Sequence, residues 1–70
     1  MDYNALSPEA KKVADIITQT VGPANKSAMS SNMYNYLIDR FYTIVTEHKL
    51  SPKDRFAVGD WFESQYGVRL

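Results

Sequence analysis

Apolar residues recur at helical spacing in three stretches of this chain. In the first, Ala10, Val13, Ala14, Ile17 and Val21 follow an i, i+3, i+4, i+7, i+11 pattern, and Lys11, Asp15, Thr18 and Gln19 lie opposite. That is one face of an amphipathic helix. In the second, Tyr34, Leu37, Ile38, Phe41, Ile44, Val45 and His48 make a dense stripe. In the third, Val58, Trp61, Phe62 and Gln65 share a face. No four-residue alternation stands outside these patterns, so no strand is expected.

Chemical punctuation marks the ends of the stretches. Leu6-Ser7-Pro8 opens the first, and Leu50-Ser51-Pro52, 44 residues later, opens the third. A serine at the N-cap accepts a hydrogen bond from an orphan N–H of the first turn. Proline at the first helical position forfeits no bond there, and its fixed φ suits the helix. Asp54, three residues after Ser51, adds a weak capping-box geometry. Gly22-Pro23 stops the first helix and Gly67 the third. The second helix starts at a serine among Ser27, Ser30 and Ser31, after a small and polar connection from Gly22 to Met29. The spacing predicts helices over 8–21, 30–49 and 52–66.

The fold class this implies is all-α: a compact three-helix domain with a long central helix, in a single unit over 1–70. At about 1.5 Å per residue the second helix would span close to 30 Å and act as the central post. The predicted core is Val13, Ile17, Leu37, Ile38, Phe41, Ile44, Val45, Val58, Trp61 and Phe62, with Val68 folding back on Phe62. Gly59 interrupts the third helix at a cost of about 1 kcal/mol against alanine. Close approach of the first helix, at Ala10 and Ala14, is the expected reason for it. Beyond Leu-Ser-Pro and one basic residue each (Lys11, Arg55) the two capped segments diverge, so capping chemistry is reused without a structural repeat.

Composition narrows the function classes. Seventy residues hold one domain, with barely enough apolar surface to fold. There is no cysteine, which excludes a disulfide framework and thiolate metal sites. No basic region followed by an apolar run stands at the N-terminus, and the apolar runs fall far short of the roughly 20 residues of a bilayer span. A cytoplasmic protein without membrane association is expected. Eight lysines and arginines balance eight aspartates and glutamates. A neutral chain lacks the long-range field that non-specific nucleic-acid binding uses. The Ser, Asn, Thr and Gln content and five tyrosines fit a small accessory protein of phage or plasmid type.

Catalysis finds little support in the residues. His48 is the single histidine, at the end of the second helix beside Glu47, and reads as an edge-of-core residue whose positive form the helix dipole would favour. No nucleophile is tied to it by spacing. Asp60 and Glu63, one turn apart, read as a solvated face and at most a weak hard-cation site. The three glycines are isolated, so no phosphate-cradling loop exists. No catalytic residue, metal, cofactor or small-molecule substrate is expected.

Two binding readings remain. The short junction between the second and third helices resembles that of a helix-turn-helix, with Lys53 and Arg55 available to phosphates or bases. Asp54, Asp60 and Glu63 on the same helix oppose it, so nucleic acid is the weaker alternative. Protein binding, to another protein or as a homodimer, is the stronger. Tyr36 falls on the polar side of the second helix with Arg40 and Thr43, and Tyr42 lies on the other flank. Phe56 points away from the Val58-Trp61-Phe62 face, among charges. Tyrosine, arginine and aromatic anchors are enriched at interfaces, so Tyr36, Arg40, Tyr42 and Phe56 are the candidate contacts of a small regulatory protein.

Overall fold

The computed structural model describes residues 2–23 and 30–70; Met1 and residues 24–29, which hold most of the expected connection and the Ser27 start, lie outside the described residues. A 3-10 turn (Tyr3–Ala5) leads into three helices, α1 (Pro8–Val21), α2 (Ser31–Glu47) and α3 (Pro52–Tyr66), with no strand among the described residues. No helix among the described residues is long and apolar enough to cross a membrane.

Each helix begins on a serine. Ser7 Oγ accepts from the N–H of Ala10 at 3.1 Å, Ser30 Oγ from Met33 at 3.1 Å and Ser51 Oγ from Asp54 at 3.3 Å. Each bond satisfies one of the donors that a helix start leaves orphaned. Gly22 and Gly67 close α1 and α3 with φ of 85° and 67°, a region where a side chain would be strained. Between α2 and α3, Lys49 takes φ 49° without being glycine. Its left-handed turn lets α3 restart within four residues of the end of α2.

The side chains fix the direction of packing. At one end of the molecule the Ser7 hydroxyl donates to Asp54 Oδ1 at 2.9 Å, joining the starts of α1 and α3. At the other end the Tyr66 hydroxyl donates to the Gly22 carbonyl at 2.7 Å, joining their ends. The two helices therefore run side by side in the same direction. In α2 the Tyr34 hydroxyl donates to the Arg69 carbonyl at 2.8 Å, so α2 begins where α3 ends and runs antiparallel to both. The Asp54 carboxylate serves α1 and does not close the capping box on Ser51; there it lies near the positive ends of two helices.

The central element is α1, the shortest of three helices of similar length, rather than a long second helix. Its backbone comes close to both α2 and α3, which approach each other less closely. Ala10 and Ala14 on its inner face are fully buried, and their small side chains allow that approach. The gap between α2 and α3 is spanned by Phe41, which stacks on Phe62 with centroids 4.8 Å apart; within α3, Phe62 meets Tyr66 at 4.9 Å. Trp61 meets Tyr66 edge-on at 6.2 Å. Nine of the ten predicted core residues are buried, and Ile38 is only half-buried. Leu6, Ala10, Ala14, Tyr66 and Val68 complete the core.

Three further expectations need correction. His48 is exposed as the C-cap of α2 and is not an edge-of-core residue, because it stands beyond the last residue of the helix. Gln65 is exposed, since the buried arc of α3 turns from Val58, Trp61 and Phe62 toward Gly59 and Tyr66. Gly59 faces α2 and the C-terminus rather than α1: a Cβ there would lie 3.4 Å from Leu70 Cδ1 and 3.6 Å from Phe41 Cζ.

These contacts make three predictions. Ser51→Ala should cost about 1 kcal/mol through the lost cap. Ser7→Ala should cost about 2 kcal/mol, because it also removes a bond to a carboxylate. Equal urea midpoints for the two variants would show that the Ser7–Asp54 bond contributes nothing. Gly59→Ala places its methyl at ordinary van der Waals distances, so it should raise stability by about 0.5–1 kcal/mol, read as a higher thermal midpoint. Thirdly, burial pushes the Tyr66 phenol above the ordinary 10.0, more than the neighbouring Thr18 hydroxyl lowers it. The hydrogen bond to Asp15 raises Tyr3 as well. Above the unfolded value the unfolded chain releases protons that the native state keeps, so this stability is fully present below about pH 10 and falls as pH rises toward the folded values. Tyr66→Phe should flatten that alkaline decline without abolishing it, since Tyr3 still titrates. An unchanged slope of denaturation midpoint against pH would contradict the burial effect.

Candidate functional site

The separation of α2 from α3 leaves an open groove of about 280 Å³ on the side away from α1. Phe41 and Gly59 line its floor; Tyr42 rises on the α2 side, and Arg55, Phe56, Asp60 and Glu63 on the α3 side. Gly59 is buried there, with Leu70 and Phe41 closing over it. Leu70 reaches in from the C-terminus. The Glu63 carboxylate, accepting the Leu70 N–H at 3.0 Å, holds the last residue over α3. Tyr34, bonded to the Arg69 carbonyl, holds the same tail from α2.

The four aromatic and basic candidates divide between two surfaces. Phe56, 79% exposed, and Tyr42, 42% exposed, share the groove. Tyr42 sits edge-on against Phe41 with centroids 5.3 Å apart, so the exposed ring is backed by the core. Phe56 projects into solvent. Tyr36 is 46% exposed and, like Arg40, is absent from the groove lining. Helical phase puts both on the opposite flank of α2 from Tyr42. The Arg40 guanidinium pairs with its neighbour Asp39 at 3.0 Å, a surface pair of small energetic worth. Lys53 and Arg55 are both exposed in the first turns of α3, Arg55 alone lining the groove.

The groove is lined by apolar and charged side chains together. Asp60 and Glu63 are half-buried groove walls and not a freely solvated face. Among the described residues no three carboxylates, histidines or cysteines gather to hold a metal ion. His48 is exposed beyond the end of α2, away from the groove lining. Two participants are not legible in the sequence, Leu70 and the placing of Gly59 beneath it. The glycine carried a signal, its helical position, which pointed to the wrong neighbour. Leu70 carried none, because its place depends on the turn at Gly67 and the two side chains that tether the tail. Comparisons with protein-family models, with curated proteins and with solved structures find nothing that matches this chain.

Proposed function

We propose that this protein acts without enzymatic chemistry, as a small accessory or regulatory protein that binds another protein through the groove between α2 and α3. Phe56 and Tyr42 are its anchors. The observation that carries the reading is the exposure of Phe56: a phenylalanine projecting beside an apolar floor, in a chain with little apolar surface to spare. Covering such a side chain contributes about 2 kcal/mol, and an aromatic anchor in a pocket rimmed by charges has the make-up of a binding hot spot. The exposed Lys53 and Arg55 at the start of α3 support a second, weaker reading as a nucleic-acid contact. Asp54 stands between them and the net charge is zero. That reading requires retention on heparin with release steep in salt.

Phe56→Ala should leave circular dichroism and the melting midpoint nearly unchanged, within about 0.5 kcal/mol for a surface site. It should weaken association, measured by affinity capture or sedimentation, by about 2 kcal/mol or more. Tyr42→Ala should act in the same direction, with an added stability loss of about 1 kcal/mol from the ring pair with Phe41. Association that survives Phe56→Ala but is lost in Tyr36→Ala would move the interface to the opposite flank of α2.

A further inference from the structure

Residues Arg69 and Leu70 lie across the groove. Gly59 and Phe41 on its floor are buried, and Leu70 is the side chain over them: its Cδ1 comes within 3.4 Å of where a Cβ on Gly59 would stand. Leu70 itself is 37% exposed, so it serves as a cover and not as core. The base of this segment is fixed. The chain turns at Gly67, with φ of 67°, and buries Val68. Beyond Val68 two hydrogen bonds hold it, from the Tyr34 hydroxyl to the Arg69 carbonyl and from the Leu70 N–H to the Glu63 carboxylate, and both are exposed. The bonds that join α1 to α3 are part-buried by contrast. Water can replace an exposed partner at little net cost. Few buried apolar contacts and solvent-exposed hydrogen bonds are what let a segment open while the domain stays folded.

From this contrast between a pinned base and a lightly held tip we infer that Arg69 and Leu70 form a strap, an intramolecular occupant that keeps the groove closed, and that a partner gains the Gly59–Phe41 floor only as the strap swings out. The inference rests on the groove being the binding surface, as proposed above. It also states what chemistry the floor accepts: an aliphatic side chain whose backbone N–H turns to Glu63. A partner offering that chemistry competes with Leu70 for one place. Its apparent affinity falls with the fraction of molecules in which the strap is open. Tyr34 is absent from the groove lining. It acts on the groove by holding Arg69, which makes it a positioning residue for the strap.

Nile red, an uncharged apolar dye, probes the floor in the full chain, and NMR reports the strap itself. The wild type should show a nuclear Overhauser contact between the Leu70 methyls and the Gly59 Hα protons. Tyr34→Phe, which keeps the ring and removes the hydroxyl, should weaken that contact. Leu70→Ser should bind the dye about tenfold more tightly, the gain for a strap open in about one molecule in ten. Tyr34→Phe should gain in the same direction by a smaller factor. Leu70→Met, which keeps an apolar cover, should bind the dye as weakly as the wild type. No Leu70–Gly59 contact in the wild type overturns the inference. So does dye binding to Leu70→Ser that is no tighter than to the wild type, with near-ultraviolet circular dichroism intact. Should Leu70→Ser lose that dichroism, Tyr34→Phe decides: a gain with native dichroism supports the strap, and no gain overturns it. Adding Phe56→Ala to Leu70→Ser separates the strap from the reading it rests on, and should remove most of the gain. A gain that persists overturns Phe56 as an anchor of the groove and leaves the cover by Leu70 standing. No gain in Leu70→Ser, beside association that Phe56→Ala still weakens, overturns the strap and leaves the groove.

Discussion

A stack of two phenylalanine rings sets the spacing on which this small domain depends. Phe41 and Phe62, with centroids 4.8 Å apart, lie between α2 and α3 and hold those helices farther from each other than either is from α1. On the α1 side, the fully buried Ala10 and Ala14 let backbones come together. Large residues at one contact and small ones at the other tilt the bundle open. The groove with Phe56 and Tyr42 on its walls is the outer consequence of that asymmetry.

Polar contacts hold the register that the rings leave free. Hydrophobic packing is nearly indifferent to a small slide of one helix along another, whereas a hydrogen bond is not. Ser7 with Asp54 and Tyr66 with Gly22 pin the two ends of the α1–α3 pair. Tyr34 and Glu63 pin the tail. Among the described residues no buried side-chain polar atom is left without a partner. In so small a core each such atom would cost about 1–3 kcal/mol of a total that is only several times larger.

Local rules carried the sequence a long way. The limits of α1 and α3 follow from Ser-Pro at the start and glycine after the end, chemistry confined to a few neighbouring residues. The end of α2 was less legible, since Lys49 stops the helix in a conformation that glycine or asparagine usually marks. Periodicity found the buried faces, and it placed Tyr42 and Tyr36 on different flanks. It could not say which flank meets which helix. That depends on the rotation of each helix within the bundle, so the sequence pattern points Gly59 toward α1 and does not show that Tyr42 and Phe56 line one groove. His48 falls on the stripe for another reason: a period read along the chain does not show where the helix ends. Leu6, Tyr66 and Val68 lie at helix ends, where burial is decided by chain reversals and not by period.

The two bonds that align α1 with α3 join residues 47 and 44 positions apart, whereas α2 and α3 are joined by a turn of four residues. Closing a loop costs entropy that grows with its length, and contacts across it return nothing until it is closed. The α2–α3 hairpin can form early from neighbouring segments. Docking of α1 on α3 spans nearly the whole chain, and it makes both end bonds. The longest loop closure of the fold therefore falls at the seam between α1 and α3, the same seam that its two end bonds fix in register.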